Sequence, residues 1–279
     1  MDRQIKFGIC EWVLPSKLQG PSSARAAFDA GLDGVALELG HARESFPLAD
    51  DYVIRLYQEE QARYGVEFPA LACNMTDFFP MTAPRGTPGR EMVERAIRLS
   101  IKAAAGLNIP VVQIPSFLAS AIRSEEDLRQ SAECLQYACR LAAERGIIIG
   151  TENTLSAEWQ MRELELVDCE NFKVYFDTQN GHLQEGICLP ETVRQLLPYI
   201  IQVHLKDGIG SEGSTLMGYG ENDALKTVEN LLAGGYKGWF IFENEYFKAP
   251  LAGRGEDSFA LLKRDLESMQ AYMKDIETK

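Results

Sequence analysis

Four apolar runs in this 279-residue chain stop on side chains that can bind a metal or move a proton. Ile147-Ile-Ile-Gly-Thr-Glu152 and Val174-Tyr-Phe-Asp177 each end on a carboxylate. Ile200-Ile-Gln-Val-His204 ends on an imidazole, and Trp239-Phe-Ile-Phe-Glu243 on a third carboxylate. Three carboxylate oxygens and one imidazole nitrogen form a hard-to-borderline donor set, suited to one divalent ion of the Mn, Mg, Co or Zn type. Such a set suits proton exchange beside a ketone. A Lewis acid chelates the carbonyl and an adjacent hydroxyl, and carboxylates remove and return the proton.

Four strand ends meet at one point if the strands are parallel and close into a barrel, because α/β barrels gather their strand C-termini around a single mouth. The rest of the chain supports that architecture. Helical stretches end on Gly and an apolar strand follows at Gly31, Gly65, Gly106 and Gly146, spaced 34, 41 and 40 residues apart by subtraction of their numbers, and again at Gly234-Gly235. The expectation is an α/β fold of the (β/α)8 TIM-barrel type in one domain spanning residues 1–279.

In order, the sequence predicts strands at Lys6 to Cys10, Gly34 to Leu39, Phe68 to Cys73 and Val111 to Ile114, followed by the four runs above. Helices are predicted from near Ser22, from about Asp50 to Tyr64, from Gly89 to Ala105, from Glu125 to Arg145 behind a Ser124 cap, and from Asp257 to about Glu277. Glu11 and Trp12 fall at the mouth. So do Glu38 and the loop bearing His41 and Arg43. The apolar loop from Asn74 to Thr87, with Phe78, Phe79 and Met81, reads as a wall or lid. The Gly-rich stretch from Gly208 to Gly220 reads as a tight turn that presents Asp223 as a helix cap.

Composition narrows the function classes. A net charge of -13 repels phosphate backbones, so the expected partner is a small sugar or sugar phosphate and not nucleic acid. Nothing reads as a leader or a membrane span, and the expected location is cytoplasmic. The six cysteines have no paired spacing and read as buried free thiols. A homo-oligomer stays open.

Several of these stretches together resemble one family. Thr151-Glu-Asn153, Asp177-x-x-Asn180, His204-Leu-Lys-Asp207, Gly218-x-Gly220-x-x-Asp223 and Gly238-Trp-Phe-Ile-Phe-Glu243 are similar to the xylose isomerase-like TIM-barrel superfamily of sugar and sugar phosphate isomerases and epimerases. The opening Phe7-Gly-Ile-Cys-Glu-Trp-Val-Leu-Pro15 resembles its ketopentose-phosphate 3-epimerases. The resemblance implies that Glu152, Asp177, His204 and Glu243 hold one divalent metal and that Glu152 and Glu243 double as the acid/base pair. It further implies Glu158 as a sugar-hydroxyl ligand. Asn180, Lys206 and His182 are candidate polar contacts to substrate, with an ion pair beneath the site as the other role for Lys206. Free-ketose epimerases of the family carry His three residues after the metal Asp. Asn180 stands there instead, as in the phospho-sugar branch, yet no Arg or Lys lies between Asp207 and Gly220. Aldose-ketose isomerase and dehydratase are the alternatives among enzymes, and a non-catalytic sugar-binding barrel is the alternative outside them.

Overall fold

The computed structural model describes residues 5–253 and 255–277. Strands and helices alternate among them: β1 (Lys6–Cys10), α1 (Ser22–Ala30), β2 (Gly34–Glu38), α2 (Asp51–Tyr64), β3 (Leu71–Ala72), α3 (Pro88–Leu107), β4 (Val111–Pro115), α4 (Glu125–Ala143) and β5 (Ile148–Glu152). Then come α5 (Ala157–Val167), β6 (Phe172–Asp177), α6 (Asn180–Glu185), α7 (Leu189–Leu196), β7 (Ile200–Leu205), α8 (Ala224–Ala233), β8 (Trp239–Phe242) and α9 (Ser258–Glu277). The strands follow chain order in one closed parallel barrel, the expected fold. Helices cover parallel strands on the outside, so the strands are apolar on both faces, as in the fully buried β4.

By its contacts the chain divides into two compact units. One comprises Met1–Val35, Tyr64–Glu67 and Phe176–Lys279. In it β1 pairs with β8, Lys6 opposite Trp239 and Ile9 opposite Phe242, and β7 pairs with β8, His204 opposite Ile241. The other comprises Ala36–Arg63 and Phe68–Tyr175, where β2 through β5 are laddered and Ile149 lies opposite Phe172.

Some elements differ from expectation. The third strand is a regular ladder only at Leu71–Ala72, because Pro69 has no amide to donate and Glu67 is an isolated bridge partner of Gly34. Helix α3 runs past Gly106 and ends on Asn108, which takes the left-handed conformation at φ 55°. Ser22 does not cap α1, whose N-cap is Pro21 without a side-chain bond. Ser124 does cap α4, accepting from the Asp127 amide. Asp223 is the N-cap of α8, but through its backbone carbonyl, which accepts from Thr227, and without a side-chain bond. The sequence placed no helix between the sixth and seventh strands, where α6 and α7 lie.

The 74–87 segment is partly core. Met75 and Met81 are buried, whereas Phe78 is 60% exposed and meets the His41 ring edge-on at 4.8 Å. The buried Arg90 guanidinium donates to the carbonyls of Met81 and Ala83 and holds the segment down. None of the six cysteines is in a disulfide. Four are buried as expected, but Cys169 is half-buried and Cys188 exposed. Among the described residues no helix is long and apolar enough to cross a membrane.

Candidate metal centre

Each of the four strand ends holds its side chain by a different local device. Asp177 closes β6, and its Oδ1 accepts the amides of Gln179 at 2.7 Å and Asn180 at 2.6 Å. Those amides open α6 and have no partner inside the helix, so the carboxylate satisfies them and is oriented in return. His204 lies on β7 with no exposed surface. Its Nδ1 is 3.2 Å from Glu243 Oε2 and 4.0 Å from Asp177 Oδ2, and its Nε2 is 3.4 Å from Cys10 Sγ. Glu243 follows β8 directly. Its Oε1 accepts from Trp12 Nε1 at 2.8 Å, and its Oε2 meets Lys206 Nζ at 2.6 Å. Glu152 ends β5 and accepts from the Gln113 side-chain amide, while its carbonyl takes the Ser116 amide.

One ligand atom from each of Asp177, His204 and Glu243 lies within 4.8 Å of the others. Two of these carboxylates face one buried ammonium, Lys206, which is 2.6 Å from Glu243 and 3.5 Å from Asp177. Burial alone would raise the Glu243 carboxyl. The Lys206 ammonium and the His204 imidazole outweigh that and hold it well below the usual carboxylate range. Glu243 therefore carries its charge at neutral pH. The donor set and the excess of negative charge both fit a divalent cation of hard-to-borderline type.

The residues expected to touch substrate sit as follows. Asn180 is buried at the start of α6, and its Oδ1 accepts from Lys206 Nζ at 3.1 Å. Lys206 is buried among Asp177, Asn180 and Glu243, which fits the ion pair beneath the site better than a rim contact. His182 is half-buried on α6, and Glu158 is exposed in the first turn of α5.

A set of polar residues behind the site was not singled out from the sequence. The Asp207 carboxylate gathers the amides of Gly208, Gly218 and Gly220 at 3.0, 2.7 and 3.1 Å. A Cβ on Gly220 would collide with that carboxylate, so the Gly-x-Gly pair serves a clasp on Asp207. Burial raises the Asp207 carboxyl and these amides oppose the rise. Asn244, next to Glu243, accepts from the Asp207 amide at 2.8 Å and donates to Asp265 on α9 at 3.2 Å. Asp265 also accepts from Tyr246 and the Met217 amide, and burial pushes its carboxyl up to about 6. Gln113 carried a readable signal, since it is an amide inside the apolar run Val111-Val-Gln-Ile114. Cys10 carried none beyond its place at the end of the first strand.

The chain belongs to the xylose isomerase-like TIM barrel family, whose model matches residues 24–272. It is 27% identical over 228 residues, 81% of this chain and 82% of the relative, to the 2-epi-5-epi-valiolone 7-phosphate 2-epimerase of Actinoplanes sp.. Among solved structures it is similar to a D-tagatose 3-epimerase-like protein, with a TM-score of 0.78 and 20% identity over 98% of each chain. It is also similar to the D-allulose 3-epimerase of Methylomonas sp. in complex with D-allulose, with a TM-score of 0.74 and 17% identity over 97% of this chain and 98% of that one. At these identities the structural likenesses establish the fold.

Proposed function

We propose that the chain is a divalent-metal-dependent epimerase of a ketose or ketose phosphate, exchanging the C3 proton through an enediolate. The observation that carries this reading is the cluster of Asp177, His204 and Glu243, with Glu152 at the end of β5 taken as the fourth ligand. The relatives' names support the reaction class, since the curated relative and the allulose-bound structure are both named epimerases. The ion, held by these four residues, supplies Lewis-acid polarisation of the substrate carbonyl.

In this reading Glu152 and Glu243 are the acid/base pair. One removes the proton from carbon 3 and the other delivers a proton to the opposite face, a role worth about 10²- to 10⁴-fold for a positioned acid or base. Lys206 and the Trp12 indole N–H keep the Glu243 carboxylate charged and oriented. Asp177 and His204 anchor the ion. Glu158, Asn180 and His182 are assigned to the substrate hydroxyls, with Lys206 joining them only through Asn180.

The test is turnover of a panel of ketoses and ketose phosphates in deuterated water with manganese, read by NMR. Epimerisation with deuterium at C3 supports the reading. Deuterium at C1 makes the protein an aldose-ketose isomerase, net loss of water makes it a dehydratase, and binding without turnover makes it a sugar-binding barrel.

A further inference from the structure

Beyond its amide bond to Asp177, Gln179 makes a second set of contacts that the proposed chemistry does not use. Its side chain is only 1% exposed and reaches the turn of residues 208–214 beyond β7. Nε2 donates to the Ser211 carbonyl at 3.1 Å, and Oε1 accepts from the Gly213 amide at 2.8 Å. The Gly213 carbonyl in turn accepts from the Glu245 amide at 2.9 Å. Gly213 holds φ 55°, and a Cβ there would come within 2.9 Å of the Glu245 nitrogen and 3.2 Å of the Glu243 carbonyl oxygen. Packing this close to the chain just past β8 requires glycine.

These bonds join two proposed ligands by a route outside the barrel ladder. Asp177 Oδ1 accepts the Gln179 amide at 2.7 Å, so one residue orients a carboxylate with its backbone and grips the turn with its side chain. Gly213 carries the connection to Glu245, two residues beyond Glu243. The ladder between β7 and β8 reaches its end at the Glu243 amide, which donates to the Leu205 carbonyl. Past that bond the Glu245 backbone leans on the turn.

We infer that Gln179 is a positioning residue for the metal centre: through Gly213 it fixes the spacing of Asp177 and Glu243, and so favours an ion of strict coordination geometry over a permissive one. The inference rests on the proposed metal assignment. Magnesium demands near-octahedral coordination, whereas calcium accepts variable ligand numbers and angles. Loosening the spacing therefore penalises magnesium more than calcium. A side chain that merely held the turn in place would change both affinities alike.

Manganese binding read by electron paramagnetic resonance, with magnesium and calcium as competitors, gives the three affinities in wild type and Gln179→Met. The variant should bind manganese and magnesium about tenfold or more weakly, the scale on which partners behind a ligand act, and the magnesium-to-calcium affinity ratio should fall. Gln179→Asn keeps an amide there but is one methylene shorter, and the ratio should fall in it too. That variant carries the test if Gln179→Met does not fold. Gln184 reaches Glu212 on the exposed side of the same turn at 3.3 Å, and Gln184→Met should leave the ratio as in the wild type. A ratio unchanged in the Gln179 variants, or one that falls equally in Gln184→Met, overturns the inference and leaves the metal assignment standing. A wild type that binds no manganese overturns the metal assignment, and the inference with it.

Discussion

Glu38 and Glu243 stand in equivalent places, one closing β2 and the other following β8, and their carboxyls are shifted in opposite directions. Glu38 is half-buried, and its Oε2 accepts from the neutral Asn74 amide at 3.0 Å. Burial pushes its carboxyl up, and the amide offsets only part of the rise. Burial acts on Glu243 in the same sense, but Lys206 and His204 reverse it. A strand end therefore fixes where a carboxylate points, and the cation beside it decides which way its pKa moves. Glu163 extends the contrast. It lies fully buried on α5, bonded to Ser131 and Asn153 at 3.1 and 3.2 Å with no cation in those contacts, and burial raises it to about 7.

The most direct way to break this contrast is to neutralise each carboxylate in turn. Glu243→Gln should lower turnover by about 10²- to 10⁴-fold, the range for removing a positioned acid or base. Manganese content must be measured alongside, because the same residue is a proposed ligand. Lys206→Met removes the cation and leaves buried negative charge uncompensated, a change that costs about 3–5 kcal/mol. Urea unfolding at neutral pH reads that loss, and manganese at about 100 times its Kd should restore close to 2.7 kcal/mol. Because the Glu243 carboxyl is depressed in the folded state, the stability it contributes is present above the unfolded value near 4.3 and is lost as pH falls toward the folded value. The gap between wild type and Lys206→Met should accordingly narrow in strong acid.

Glu163 predicts the opposite slope. Its folded carboxyl holds a proton longer than the unfolded one, so stability falls as pH rises from about 4.5 to 7, by about 3 kcal/mol in all. Glu163→Gln should flatten that slope when unfolding is compared at pH 5 and pH 8, and an unchanged slope would assign the titration elsewhere. The smallest effect is expected from Glu38→Gln. Thermal melts at neutral pH should place it within about 1 kcal/mol of wild type, the scale of one ordinary hydrogen bond, and a loss as large as that of Lys206→Met would erase the distinction.

The four strand ends that carry the proposed ligands were legible because an apolar run that stops on a polar residue marks both a strand and its end. His204 and Asp177 were found this way, and the resemblance concerned the same stretches. What lies behind them was not legible. Asp207 and Asp265 look like any other acid in the sequence, and only folding brings three glycine amides to one and Asn244, Tyr246 and Met217 to the other. Cys10 went unread for the same reason, since its chemistry comes from a histidine far along the chain. Boundaries failed where a local signal had a competitor. Gly106 suggested a helix end, but Asn108 adopts the left-handed turn two residues later. Pro69 cut short a run that otherwise read as a strand.

The pairing of β1 with β8 also sets an order of events in time. On a nascent chain β1 is the first of the eight strands to emerge, and its partner from Trp239 to Phe242 is the last of them. Until then one edge of β1 lacks the ladder it has in the finished protein, and contacts between such distant segments are slow to form. Trp12 and Cys10, just past and at the end of β1, reach Glu243 and His204 only after that late ladder closes. Under the proposed assignment, affinity for a metal should thus wait until the eighth strand has paired.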